Sequence, residues 1–228
     1  MSNRSLREGI IATCRAMNAS GLNTGTSGNV SARIGDGFLI TPSGIPYDEL
    51  TPDHIVAMDL DGGFDGDWLP SSEWRMHMDI YRSKPEAGAI VHVHSSHAAA
   101  LSCLRLEIPP FHYMIAVAGG KTLRCADYAT FGTQALSTNM IAALEDRSAC
   151  LLSNHGQIAF GPTLAKALWL AGEVEELCHQ YFIAAQMATV TGRPMIILDD
   201  EEMARIQEKF RTYGKQVTEL GVIGEPSL

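Results

Sequence analysis

The sequence predicts a single α/β domain, spanning residues 1–228, in which several short strands are flanked by helices. Three observations predict it. Apolar runs of four to six residues, bounded by glycine and aspartate turns, alternate with longer segments whose apolar residues recur at helical spacing. No internal repeat, low-complexity tract or linker interrupts them. A chain of 228 residues with 46% hydrophobic and 19% charged content fits one generous core.

Leu6, Ile10, Ile11, Cys14 and Met17 form the first helical stripe, and Gly21 stops it. Residues 25–28 are rich in glycine and hydroxyls and read as a loop. Strands are expected at 30–34, 38–40 and 55–60, with turns at Asp36-Gly37 and Asp61-Gly62-Gly63. A helix follows at 73–81, a strand at 89–93 and a helix at 95–103. Further strands are expected at 113–118 and 150–153, separated by a helix bearing Leu136, Met140, Ile141 and Leu144. The longest helical pattern covers 164–187 and is closed by Gly192 and Pro194. Asp199, Asp200, Glu201 and Glu202 open a last helix, whose stripe runs through Met203, Ile206, Phe210 and Tyr213.

A net charge of −9 argues against nucleic-acid or anionic-membrane partners, so an anionic substrate needs local donors. Five scattered cysteines without a C-x-x-C pair read as reduced thiols. Neither a signal-peptide pattern nor a membrane-length apolar run is present, and the expected location is the cytoplasm.

The most informative tetrapeptide is Val91-His92-Val93-His94. On a strand, alternate side chains share a face, so His92 and His94 form a two-imidazole platform for a cation such as Zn2+. His155 stands where the apolar run 150–152 gives way to Asn154-His155-Gly156, and a third imidazole would leave an open coordination position. Glu73, following Pro70-Ser71-Ser72 at a helix start, offers a carboxylate as ligand or base. His77 lies four residues after Glu73, but H-E-x-x-H needs two histidines, so His77 reads as a structural helix residue. His54, His97, His112 and His179 lack a partnered spacing. Gly28-Asn29, Ser43-Gly44 and Ser71-Ser72 supply the small donors that suit a phosphate near a helix N-terminus, whereas the P-loop pattern of nucleotide hydrolases is absent.

Together with Gly21-Leu22-Asn23, Gly28-Asn29-Val30-Ser31, Thr41-Pro42-Ser43-Gly44-Ile45-Pro46-Tyr47, Pro70-Ser71-Ser72-Glu73-Trp74-Arg75 and the His-x-His strand, further segments complete a pattern. They are His112-Tyr113-Met114-Ile115, Ala118-Gly119-Gly120, Tyr128-Ala129-Thr130-Phe131-Gly132 and Asn154-His155-Gly156. In order, across nearly the whole chain, they resemble the class II aldolase/adducin family, and within it the bacterial sugar-phosphate aldolases.

That resemblance implies a central, mainly antiparallel sheet flanked by helices and one Zn2+ per subunit, held by His92, His94 and His155. Glu73 would be a fourth ligand that also serves as general acid/base. It implies phosphate bound by Gly28, Asn29, Ser43, Gly44, Ser71 and Ser72. Tyr113 would be a proton donor at the aldehyde oxygen, Tyr213 an assisting tyrosine and Phe131 a residue lining the aldehyde side. It further implies a homotetramer with active sites between subunits. The implied reaction splits a ketose 1-phosphate, such as L-fuculose 1-phosphate, into dihydroxyacetone phosphate and an aldehyde such as L-lactaldehyde. Breaking the C3–C4 bond leaves negative charge that survives as an enediolate, for which a divalent cation is an electron sink. Glutamate at position 73, where the family's 4-epimerases carry aspartate, favours an aldolase. Aldolases for 5-deoxyribulose or methylthioribulose 1-phosphate, a dehydratase or decarboxylase of the same fold, and a metal-bound interaction protein without turnover remain as alternatives.

Overall fold

The computed structural model describes residues 3–212, so Tyr213 lies outside the described residues. Along the chain, helix α1 (Asn3–Ala19) precedes strands β1 (Asn29–Ile34), β2 (Gly37–Ile40), β3 (Val56–Asp59) and β4 (Phe64–Asp65). Then come α2 (Trp74–Ser83), β5 (Ala89–Val93), α3 (Ser96–Ser102), a 3-10 segment (Tyr113–Ala118) and β6 (Cys125–Ala126). Helix α4 (Gln134–Ala143), strands β7 (Ala149–Leu152) and β8 (Gly156–Gly161), and helices α5 (Leu164–Thr191) and α6 (Asp200–Phe210) complete the series.

All eight strands join one sheet in the order β4-β3-β2-β1-β5-β8-β7-β6. Every neighbouring pair is antiparallel except β6 and β7. The sheet is therefore mixed but mostly antiparallel. Helices cover both faces, and side-chain alternation sorts the core into two layers. On one face Val30, Ala32, Ala89, Val91, Val93, Leu151 and Ala159 pack against α1 and α5. On the other, Phe38, Ile40, Ile90, Leu152, Ile158 and Phe160 pack against Met76 and Ile80 of α2 and Leu136 and Met140 of α4. β5 sits near the middle with all five residues buried, so whatever it projects beyond the core is held rigidly.

Local signals place the helix ends. Asp199 caps α6 by accepting from Glu202 N–H at 2.8 Å, and Thr163 caps α5 through Lys166 N–H at 3.3 Å. α5 ends at Gly192, whose φ of +67° is the left-handed conformation that glycine adopts without cost.

One expectation needs correction, and three strands, β8, β4 and β6, went unseen in the sequence. Residues 113–118 form a 3-10 helix, not a strand: His112 caps it by accepting from Met114 N–H, and Gly119 closes it with a φ of 101°. A short apolar run fits either state, and here Ile115 and Ala118, three apart, face the core. β8, which the two glycines of Gly-Gln-Ile-Ala-Phe-Gly disguised, is a fully buried strand between β5 and β7. The two-residue strands β4 and β6 were too short to carry a period.

Candidate metal centre and anion cavity

β5 delivers His92 and His94 at its exit. His92 lies opposite Asn29 of β1 and Ile158 of β8. β7 and β8 are joined by the three-residue turn 153–155, in which Asn154 takes a φ of +53°, a conformation asparagine tolerates better than most residues. That turn swings His155 toward the end of β5. Gly156 follows, and a Cβ there would stand 2.4 Å from Val93 O and 3.0 Å from the His94 ring. Only glycine lets the hairpin come this close to the imidazole. Gly28 has the same role on the other side, where a Cβ would meet His92 O at 2.7 Å.

Glu73 is the N-cap residue of α2, with φ −103° and ψ 15°, and its side chain points into the sheet end rather than capping the helix. The four predicted ligands converge: His92, His94, His155 and Glu73 each contribute an atom, all within 4.8 Å of one another. His92 Nε2 is 3.0 Å from His94 Nε2 and 3.1 Å from Glu73 Oε2, and His155 Nε2 is 3.1 Å from Glu73 Oε1.

These atoms fit a cation on chemical grounds. His92 Nδ1 must carry a proton, because it lies 2.8 Å from the Gln157 carbonyl, which can only accept. With Nε2 unprotonated, as a metal ligand must be, His92 would turn its lone pair toward the other ligands, in the usual outer-sphere arrangement of a metal-binding imidazole. Glu73 Oε1 is buried without a hydrogen-bond partner among the described residues. Electron-pair donors facing one another in a dry place call for positive charge between them.

Burial pushes the Glu73 carboxyl up, but the adjacent His92 and His155 imidazoles outweigh it and hold the group ionised, below the ordinary carboxylate range. Burial and the neighbouring His92 and His155 pull His94 down to about 4, so His94 is neutral and ligand-competent at physiological pH. Burial pulls the His92 pKa down, but the Glu73 charge and the hydrogen bonds to Glu73 and the Gln157 carbonyl together outweigh it, and the pKa is raised.

Beside the ligands opens a cavity of about 360 Å³. Gly28, Asn29, Ser43, Gly44, Ser71 and Ser72 line it with Glu73, His94, His155 and Phe131, so all three expected anion-binding segments meet there. An isolated bridge pairs Pro42 with Pro70, while Ser71 N–H donates to Thr41 O at 3.0 Å and Ser43 N–H to Leu69 O at 3.0 Å. The buried Tyr47 hydroxyl donates to Gly28 O and fixes the third segment. Among the described residues no lysine or arginine lines the cavity; hydroxyls, amides and the N-terminus of α2 supply the positive potential.

Tyr113 does not line the cavity. Its ring is half exposed and stacks on Phe210 of α6, with centroids 6.4 Å apart and planes 12° from parallel. Sequence reading also missed residues that the structure places at the site. Thr26, Ser27, Tyr128 and Asn154 share the cavity wall. His77, expected to be an ordinary helix residue, is fully buried against Asn29 and Ser31 behind the ligands. The signal was available: Glu73, His77 and Tyr81 are four apart on one helix, and Asn29 and Ser31 two apart on one strand.

A carboxylate and three imidazoles that could hold a metal ion thus lie beside a cavity lined with small hydrogen-bond donors. The profile described as "Class II Aldolase and Adducin N-terminal domain" matches residues 8–182. The chain is 50% identical to L-fuculose phosphate aldolase of Escherichia coli (strain K12), over 96% of this chain and all of that one. It is also 50% identical to 5-methylthioribulose-1-phosphate/5-deoxyribulose-1-phosphate aldolase of Rhodospirillum rubrum, over 93% of this chain and 94% of that one. A solved L-fuculose 1-phosphate aldolase superposes with a TM-score of 0.86 at 38% identity, covering 92% of this chain and all of that one. The chain belongs to the class II aldolase family and is a sugar-phosphate aldolase.

Proposed function

We propose that the chain cleaves a ketose 1-phosphate of the L-fuculose 1-phosphate type into dihydroxyacetone phosphate and a short aldehyde such as L-lactaldehyde. The carrying observation is that the four-ligand cluster and the three anion-binding segments share one cavity. Zn2+ is the proposed resident ion, since three imidazoles and one carboxylate suit it better than Mg2+ or Ca2+, which prefer all-oxygen shells. Bound there, the ion supplies Lewis acidity for substrate oxygens that become anionic.

The protein's own residues do the rest. The donors of Gly28, Asn29, Ser43, Gly44, Ser71 and Ser72 hold the phosphate, and this remote binding energy fixes the reacting carbons beside Glu73. The C4 hydroxyl gives up its proton as the C3–C4 bond breaks, and the electron pair passes to C3 and its neighbouring carbonyl. In the condensation direction Glu73, ionised in the resting site, takes the proton from C3 of dihydroxyacetone phosphate, and in cleavage its protonated form returns that proton to C3. Tyr113 exchanges the proton at the C4 oxygen. Its position outside its own chain's cavity suits service to a neighbouring subunit's site, as in the proposed homotetramer. Exposed Leu104, Leu106, Val190 and Ile196 supply apolar surface for such contacts. Phe131 shapes the aldehyde side. No helix of the described residues is long and apolar enough to cross a membrane, which agrees with a cytoplasmic enzyme.

Equal identity to the Rhodospirillum rubrum enzyme favours a second substrate, 5-deoxyribulose or methylthioribulose 1-phosphate. Incubating the protein with a panel of these ketose 1-phosphates and identifying the aldehyde formed with dihydroxyacetone phosphate decides between them. Absence of dihydroxyacetone phosphate from every member, or full turnover after exhaustive chelation, refutes the reading.

A further inference from the structure

Behind the metal centre, between β1 and α2, five polar side chains form an unbroken file. The Tyr81 hydroxyl is 2.8 Å from Ser31 Oγ, and Ser31 Oγ is 2.7 Å from His77 Nδ1. His77 Nε2 is 2.5 Å from Asn29 Oδ1, and Asn29 Nδ2 is 2.9 Å from Glu73 Oε2. All five residues are at most 5% exposed, so water does not compete for these bonds.

The file has one self-consistent direction. The Asn29 amide sets its nitrogen 2.9 Å from Glu73 Oε2, to which it donates, and its oxygen toward His77. His77 Nε2 then carries the proton and donates to Asn29, leaving Nδ1 to accept from Ser31, whose oxygen accepts from Tyr81. Every bond donates toward Glu73. Asn29 also lines the anion cavity, so the same amide joins the phosphate cradle to the acid/base.

We propose that His77 is a positioning residue for Glu73, acting through Asn29: its Nε2–H fixes which end of the amide faces the carboxylate. Without that donor, nothing at position 77 opposes rotation of the amide, and a rotated Oδ1 would face Glu73 Oε2 across the same 2.9 Å. Glu73 then loses its charge-assisted bond and the orientation that serves both the metal and the proton transfer.

The test compares His77→Leu, which removes the donor, with His77→Gln, whose amide N–H can occupy the position of Nε2. Two readouts are taken: kcat and KM on the best ketose 1-phosphate, and the affinity for Zn2+ alone by competition with a chromophoric chelator. Outer-sphere losses typically run about 10–100-fold. His77→Leu should lower kcat and Zn2+ affinity by about that factor with KM changed less than about threefold, and His77→Gln should restore most of both. A folded His77→Leu protein with both values within about twofold of the unsubstituted protein overturns the proposal, as do equal losses in the two variants. If His77→Leu does not fold, Ser31→Ala carries the test. Removing the hydroxyl that fixes the His77 tautomer should weaken Zn2+ about 3–10-fold, and unchanged affinity sinks the idea. The proposal rests on Glu73 being the metal-binding acid/base. Zn2+ competition needs no substrate, so failure of the unsubstituted protein to bind Zn2+ refutes that reading, whereas a normal site indifferent to position 77 refutes only the positioning role.

Discussion

Glu73→Gln separates the shape of the site from its charge. The carboxylate is 5% exposed, has Oε1 without a hydrogen-bond partner among the described residues, and receives its bond from Asn29 at Oε2. A glutamine of the same length can keep that bond on its carbonyl and set its amide nitrogen toward His155 Nε2, where the distance is now 3.1 Å. The packing survives, the three imidazoles remain, and the group that exchanges a proton at carbon is gone. Positioned acid/base groups contribute about 10²–10⁴ in rate. At about 1.4 kcal/mol per decade, the barrier should rise by about 3–5 kcal/mol. Steady-state kinetics coupled to dihydroxyacetone phosphate reduction should show that loss in kcat with little change in KM, while the metal content of the purified variant stays near stoichiometric. Metal-free variant should melt no lower than metal-free wild type, since a buried charge has been exchanged for a neutral amide. A metal-loaded variant retaining more than a third of wild-type kcat would refute the assignment of the proton to Glu73.

Three further outcomes follow from the geometry. Gly156→Ala puts a methyl 2.4 Å from Val93 O and 3.0 Å from the His94 ring, so overpacking should cost about 1–3 kcal/mol and weaken metal binding; thermal melting and chelator competition check both. Tyr47→Phe leaves Gly28 O without its donor, costing about 1–3 kcal/mol by denaturant titration and raising KM for phosphorylated substrates without an equal fall in kcat. The third concerns pH. Burial pulls His77 from 6.5 down to about 3, so between those values the unfolded chain binds the extra proton and stability falls as pH drops. Metal-free wild type should therefore lose up to about 1.4 kcal/mol more per pH unit than His77→Gln below pH 6.5, and parallel curves for the two proteins would contradict it.

What the sequence disclosed depended on how local the physics is. Two-residue alternation along one strand put His92 and His94 on one side, and the structure keeps them there. The three donor-rich segments read singly as turns, where glycine, serine and asparagine gather anyway, and they became legible as chemistry only together with the histidines and the family pattern. Their meeting in space was not legible, since it depends on register between β1, β5 and β8, and β8 was hidden by its own glycines. The burial of His77 against Ser31 and Asn29 was not legible, since those partners lie 46 and 48 residues away in the chain. Residues 113–118 were misassigned because six apolar residues without a polar beat do not choose between a strand and a helix.

The turn at 153–155 also ties the ligand set to the pairing of the sheet. Glu73 comes from a helix start, His92 and His94 from one strand, and His155 from the tip of a hairpin whose second strand, β8, lies between β5 and β7. The four donors therefore stand together only where β8 is paired with β5 in its native register. Tight capture is thereby reserved for the finished sheet, and ion uptake pulls the population toward molecules whose central strands are correctly aligned.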